Sequence, residues 1–171
     1  MAQQKEVWQR GPLPDIMPLL QPVAHALLQA REEVNEYMDE FPSALLWQRV
    51  AGMASPGFHL QHLSGVLDRV FTYARGEGLS PFQFAQLEEE GKDAAHGYTT
   101  QELVERFGRQ VDLALKQIKE TDPAILTDYR GIGRAGLPST VVGLLVHGAE
   151  HTMRHIGQLM VTAAVLKNGG A

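Results

Sequence analysis

The stretch SPGFHLQHLSGVLDRVFTYA, residues 55–74, decides the reading of the fold. Ser55 is of the residue type that caps a helix by accepting a backbone N–H, and Pro56 falls where a missing N–H costs nothing. Leu63, Val66, Leu67, Val70 and Ala74 then recur at spacings of three and four, the period of a helix with one buried face. Gly76 and Gly78 supply the stop. The pattern predicts a helix that carries His59 and His62 one turn apart on its apolar side.

Three further segments share this period. Upstream, Val23, Leu27, Ala30, Val34 and Met38 predict a helix over roughly residues 22–39, its start blurred by Pro18 and Pro22, which remove backbone donors. Downstream, Thr99-Thr100-Gln101-Glu102 is a capping-box pattern, followed by Leu103, Phe107, Val111, Ala114, Leu115 and Ile118 on one face. The last helix is expected from Ser139 to about Lys167, stopped by Asn168-Gly169-Gly170. It is apolar on most sides, so it is expected to be covered by neighbouring helices and by a second subunit. Residues 44–50 read as a short helix, residues 79–98 as a loop with at most a short helix, and residues 121–138 as a glycine-rich loop. No segment alternates as a strand does. The expected fold is all-α: a four-helix bundle over residues 15–168, preceded by an extended arm over residues 1–14.

Composition narrows the function. The chain has 171 residues, enough for one domain with its own core. It has no cysteine, which excludes disulfides, iron–sulfur clusters, thiolate zinc sites and a cysteine nucleophile. A formal net charge of −5 argues against nucleic acid as a partner. No run approaches 18 apolar residues and the first residues lack an apolar signal core, so a cytoplasmic protein without membrane attachment is expected.

Of 7 histidines, five fall into two clusters: His59 with His62, and His147 with His151 and His155. His25 and His96 stand apart. Positions i, i+4 and i+8 of a helix share one stripe, but His147 and His155 are about 12 Å apart along the axis, too far to share one ion. A neighbouring pair from this stripe and a third ligand from His59 or His62 form the expected site, between facing helices. Three neutral imidazoles suit zinc, nickel, iron or copper rather than magnesium or calcium. The bland reading, histidines in a buried polar network or on a pH-sensitive face, stays open beside it.

Two segments carry a family resemblance: GFHLQHLSGVLDR at 57–69, followed by Tyr73-Ala74 and Leu79-Ser80, and AEHTMRHIGQ at 149–158. Together they resemble the DinB/YfiT-like superfamily of metalloenzymes, whose last helix carries two histidines four apart before a Gly-Gln pair. The resemblance implies a four-helix bundle of up-down-down-up topology, a homodimer, and one divalent metal, zinc or nickel, on His62, His151 and His155. His59 and His147 are the additional or alternate ligands. It also implies a small-molecule substrate and transferase or hydrolase chemistry on a thiol or water, with a low-molecular-weight thiol as cosubstrate. Ile156 stands where the family usually has an arginine, whose role would pass to Arg154; Gln158 is the other candidate for orienting ligands or substrate. The alternative is a non-catalytic metal-binding or stress-associated dimeric module.

Two shorter motifs compete. His147-Gly148-Ala149-Glu150-His151 fits H-x-x-E-H, with Glu150 as base, although a carboxylate that orients a histidine is the simpler role. Gly131-Ile132-Gly133-Arg134-Ala135-Gly136 fits G-x-G-x-x-G, but no strand is expected before it and Pro138 interrupts the way to the helix. A loop over the metal mouth, with Arg130 or Arg134 meeting an anionic substrate, or a plain connection, is expected there. The acidic run Glu88–Glu90 reads as solvated surface.

Overall fold

The computed structural model describes residues 5–92 and 97–169; His96 lies outside the described residues. Among the described residues there are five α-helices: α1 (Gln21–Tyr37), α2 (Pro56–Ala74), α3 (Pro81–Glu89), α4 (Thr100–Glu120) and α5 (Val141–Lys167). Between α4 and α5 lies a two-stranded sheet of β1 (Tyr129–Ile132) and β2 (Leu137–Thr140).

The helix starts follow from their caps. Ser55 Oγ accepts from the Phe58 N–H at 3.2 Å, with Pro56 in the first turn of α2. Thr99 and Glu102 close a reciprocal capping box at the head of α4. α5 begins at Val141, two residues later than its sequence reading, because Ser139 and Thr140 belong to β2 and Thr140 is the cap. Pro18–Leu20 form a 3-10 turn ahead of α1. Within the segment read as an extended arm, Val7–Arg10 also wind into a 3-10 turn. It docks on α1: Val7 is buried, its N–H donates to Gln29 Oε1 at 2.9 Å, and Arg10 makes two 2.7 Å hydrogen bonds to Glu32.

α2 packs along α5 and α4, and α1 closes the ring against the same two helices. Leu27 of α1, Leu63 and Leu67 of α2, Leu103 and Phe107 of α4 and Leu145 of α5 meet in a single core with essentially no exposure. Each such side chain contributes roughly 1.5–3 kcal/mol relative to an exposed one. No helix among the described residues is long and apolar enough to cross a membrane.

One element corrects the sequence reading and another sharpens it. α3 is the short helix that the reading of residues 79–98 allows, and the reason it forms is a second capping box: Ser80 Oγ accepts from Gln83 N–H while Gln83 Oε1 accepts from Ser80 N–H. The sheet departs from the all-helical expectation. β1 and β2 pair antiparallel from Tyr129↔Thr140 to Ile132↔Leu137, and the glycine motif is the body and tip of this hairpin. Gly133 and Gly136 take positive φ of 64° and 59°, which L side chains resist. The hairpin does not cover the histidines. Arg130 Nε donates to Ala74 O at 2.9 Å, capping the far end of α2, roughly 18 Å along the axis from His62.

Candidate metal centre

The early turns of α2 face the middle of α5, and this crossing brings the two histidine clusters together. His62, His151 and His155 each offer a ring nitrogen within 4.8 Å of the others. The Nε2 atoms of His62 and His151 are 3.0 Å apart. The His155 ring centroid lies 4.4 Å from that of His62 and 4.6 Å from that of His151. Nitrogens bound to one ion at about 2.0–2.1 Å stand no more than about 4.2 Å apart. Small side-chain rotations therefore suffice to bring the three onto one ion.

The outer nitrogens of two of these rings are braced. His62 Nδ1 donates to Glu90 Oε2 at 2.7 Å, and Arg69 Nη1 donates to Glu90 Oε1 at 2.6 Å. Both partners are nearly buried, with side-chain exposures of 7% for Glu90 and 10% for Arg69. Burial alone would raise the Glu90 carboxyl; the hydrogen bonds from His62 and Arg69 outweigh it and hold the group below its ordinary value. Gly65 leaves the room, since a Cβ there would run into Glu90 Oε1 and Arg69 Nη1. Beyond Glu90 the chain turns at Gly91, φ 80°, whose N–H donates to Gln61 Oε1 at 2.8 Å. Phe58 stacks on His62 with ring centroids 5.3 Å apart and planes within 11°.

His155 is braced by His59, whose Nδ1 is 3.1 Å from His155 Nδ1. Burial, and then the neighbouring imidazoles, push both rings down to about 4. Both are neutral at pH 7, so one ring donates and the other accepts. His151 is lowered by burial first and by His62 next. Its Nδ1 is buried with no hydrogen-bond partner among the described residues. Neutral imidazoles are the form that binds a metal, and an imidazole set with a stranded buried nitrogen fits a borderline divalent ion better than a hard one.

The other predicted residues fall beside the trio. His147 is half-exposed, its centroid 5.3 Å from His151 and its Nδ1 3.7 Å from Glu150 Oε2. Glu150 is itself paired with Arg154 on the exposed side of α5. Gln158 is exposed, whereas Ile156 is 1% exposed and belongs to the core. His25 Nε2 lies 3.1 Å from Gly11 O, a local structural contact. Glu90 is the residue that sequence reasoning misplaced: the acidic run is not uniformly solvated, because α3 delivers its last member into the core beside His62. Only the Ser80 capping box hinted at that delivery.

Residues 26–159 match the sequence profile of the DinB superfamily. This chain belongs to that superfamily. The DinB fold is also evident in solved structures. A conserved protein from Enterococcus faecalis superposes with a TM-score of 0.72 at 17% identity, covering 89% of this chain and 99% of its own. A candidate DinB-family member from Exiguobacterium sibiricum 255-15 superposes at 0.69 and 15% identity, covering 90% and 95%. A Streptococcus pneumoniae protein does so at 0.60 and 14% identity, covering 85% and 88%. At such identities the likeness concerns the fold alone. No match is found among curated proteins.

Proposed function

We propose that this DinB-superfamily chain is a metal-dependent enzyme in which His62, His151 and His155 hold one divalent transition ion, zinc or nickel. The observation that carries the reading is the convergence of three imidazoles, two of which have their outer nitrogen braced by a second side chain. Such bracing fixes the ring tautomer and orientation and is a recurrent partner of metal-binding histidines. When bound, the ion supplies a Lewis acid that lowers the pKa of a thiol or water, as transferase or hydrolase chemistry requires. The protein's own part is positional. Glu90, held by Arg69, keeps the His62 proton on Nδ1 and leaves Nε2 for the site. His59 does the same for His155. Three protein ligands leave room for a small-molecule substrate, with a low-molecular-weight thiol as cosubstrate.

The alternative, a non-catalytic metal module, needs a fourth protein ligand. His59 is its best candidate, yet its Nδ1 faces His155, which supports a bracing role. The proposal includes a cytoplasmic homodimer. The adjacency of α1 and α2 to both α4 and α5 supports an up-down-down-up bundle.

The test is elemental mass spectrometry of the purified, untagged protein before and after mild chelation. About one ion per chain is expected, lost in His62→Ala, His151→Ala and His155→Ala variants whose circular dichroism is unchanged. Stoichiometric metal retained in all three variants rejects the assignment.

A further inference from the structure

A cavity of about 440 Å³ lies beside the trio, between α5 and the residues that lead into α2. Met53, Ala54 and Val161 give it apolar surface, Arg154 and Gln158 add one cation and one amide, and His59 forms part of its wall. Gly157 also lines it, and a Cβ at that position would meet no heavy atom within 4 Å. The volume falls in the roughly 300–1,000 Å³ range of small-molecule sites, which are typically apolar with a few convergent polar groups.

His59 connects this cavity to the metal centre. It is 2% exposed, and only its Nδ1 is engaged, by His155; its Nε2 has no hydrogen-bond partner among the described residues. This nitrogen is therefore free to meet a polar group of a ligand. The tautomers then follow in sequence. With His155 using Nε2 for the ion, its proton sits on Nδ1 and is donated to His59 Nδ1. The His59 proton must sit on Nε2, so this ring offers the cavity a donor. A ligand that meets His59 is therefore an acceptor, and Arg154, which already pairs with Glu150, is the cation in the wall that a negative ligand would share.

We infer that the cavity seats the apolar end of a small amphipathic anion, a carboxylate bearing an alkyl or aryl group, with His59 and Arg154 serving its charged end. The inference rests on the metal-centre reading for the His59 tautomer and for the role of this ligand as substrate or product. The occupant is a small molecule rather than a second copy of the chain, because the wall contains a nearly buried imidazole in direct contact with a proposed ligand.

The test is displacement of anilinonaphthalene sulfonate fluorescence from the metal-loaded protein by butanoate, hexanoate and octanoate, with metal content and sedimentation measured on the same samples. Octanoate is expected to bind about tenfold or more tightly than butanoate. Gly157→Phe, which fills the cavity, is expected to weaken octanoate at least about tenfold with metal content unchanged. Arg154→Gln is expected to weaken octanoate but not 1-octanol. Affinity independent of chain length, or unaltered in Gly157→Phe, overturns the inference. So does a wild-type protein that ignores octanoate and loses a dimer on Gly157→Phe, which would make this face an interface. Bound metal without octanoate binding rejects the cavity alone; octanoate binding in a protein that takes up no metal keeps the cavity and rejects the metal centre.

Discussion

The Nδ1 atoms of His59 on α2 and His155 on α5 stand 3.1 Å apart, a hydrogen bond that needs at least one neutral ring to accept and is lost when both rings are protonated. Burial first, and neighbouring imidazoles second, hold both rings at about 4, below the ordinary 6.5. Between those values the unfolded chain binds more protons than the folded one, so stability falls as pH drops through that window. The 2%-exposed His59 accounts for on the order of 2–3 kcal/mol of the loss. The urea midpoint of chelated protein is expected to be flat above about pH 7 and to fall steadily from about 6.5 towards 4. A midpoint unchanged down to about pH 4.5 would contradict the burial of these rings.

Glu90 joins Arg69 and His62 in a nearly buried hydrogen-bonded cluster. Its removal in Glu90→Ala strands the Arg69 guanidinium and is expected to cost about 3 kcal/mol in denaturant unfolding. Glu90→Gln keeps the shape and a hydrogen-bond acceptor. It is expected to be milder in stability yet to weaken metal binding about tenfold or more, measured by competition with a chromophoric chelator. Equal metal affinity in Glu90→Gln and wild type would reduce Glu90 to a structural ion pair.

Gly65 and Gly108 offer a matched contrast within helices. A Cβ at 65 collides with the Glu90 carboxylate and Arg69, whereas a Cβ at 108 meets only Arg31 Cδ, at 4.0 Å. Gly108→Ala is expected to raise stability by about 0.5–1 kcal/mol through helix propensity. Gly65→Ala is expected to lower it by about 1–3 kcal/mol and to weaken metal binding as Glu90→Gln does. Thermal unfolding and the same chelator competition separate the two.

Arg130 tests the hairpin. It ties β1 to the last carbonyls of α2 through Ala74 O, far from the trio. Arg130→Ala is expected to cost about 1 kcal/mol and to leave metal stoichiometry and affinity unchanged. A loss of metal would return the glycine motif to the mouth of the site.

His62, His151 and His155 were legible in the sequence because helical spacing fixes which histidines share a face, and the family motifs chose among them. The Ser55 and Thr99 caps were legible because capping is local chemistry. The hairpin was not, since two four-residue strands give too few alternations to register. Glu90 was hidden for a different reason. Its neighbours Glu88 and Glu89 make the run look solvated, and its burial depends on where α3 ends against α2, a tertiary fact with no local signature. His59 showed its residue type and position, but not that it faces the His155 ring on one side and a cavity on the other.

His62 and His151 are 89 residues apart along the chain and touch at 3.0 Å. An ion shared between them would be a removable crosslink, in a protein with no cysteine to form a permanent one. By the chain-entropy estimate, closing a loop of that length takes about 4–5 kcal/mol of freedom from the unfolded chain. The protein's resistance to unfolding and proteolysis would then rise and fall with the free metal around it, making its abundance a readout of metal supply.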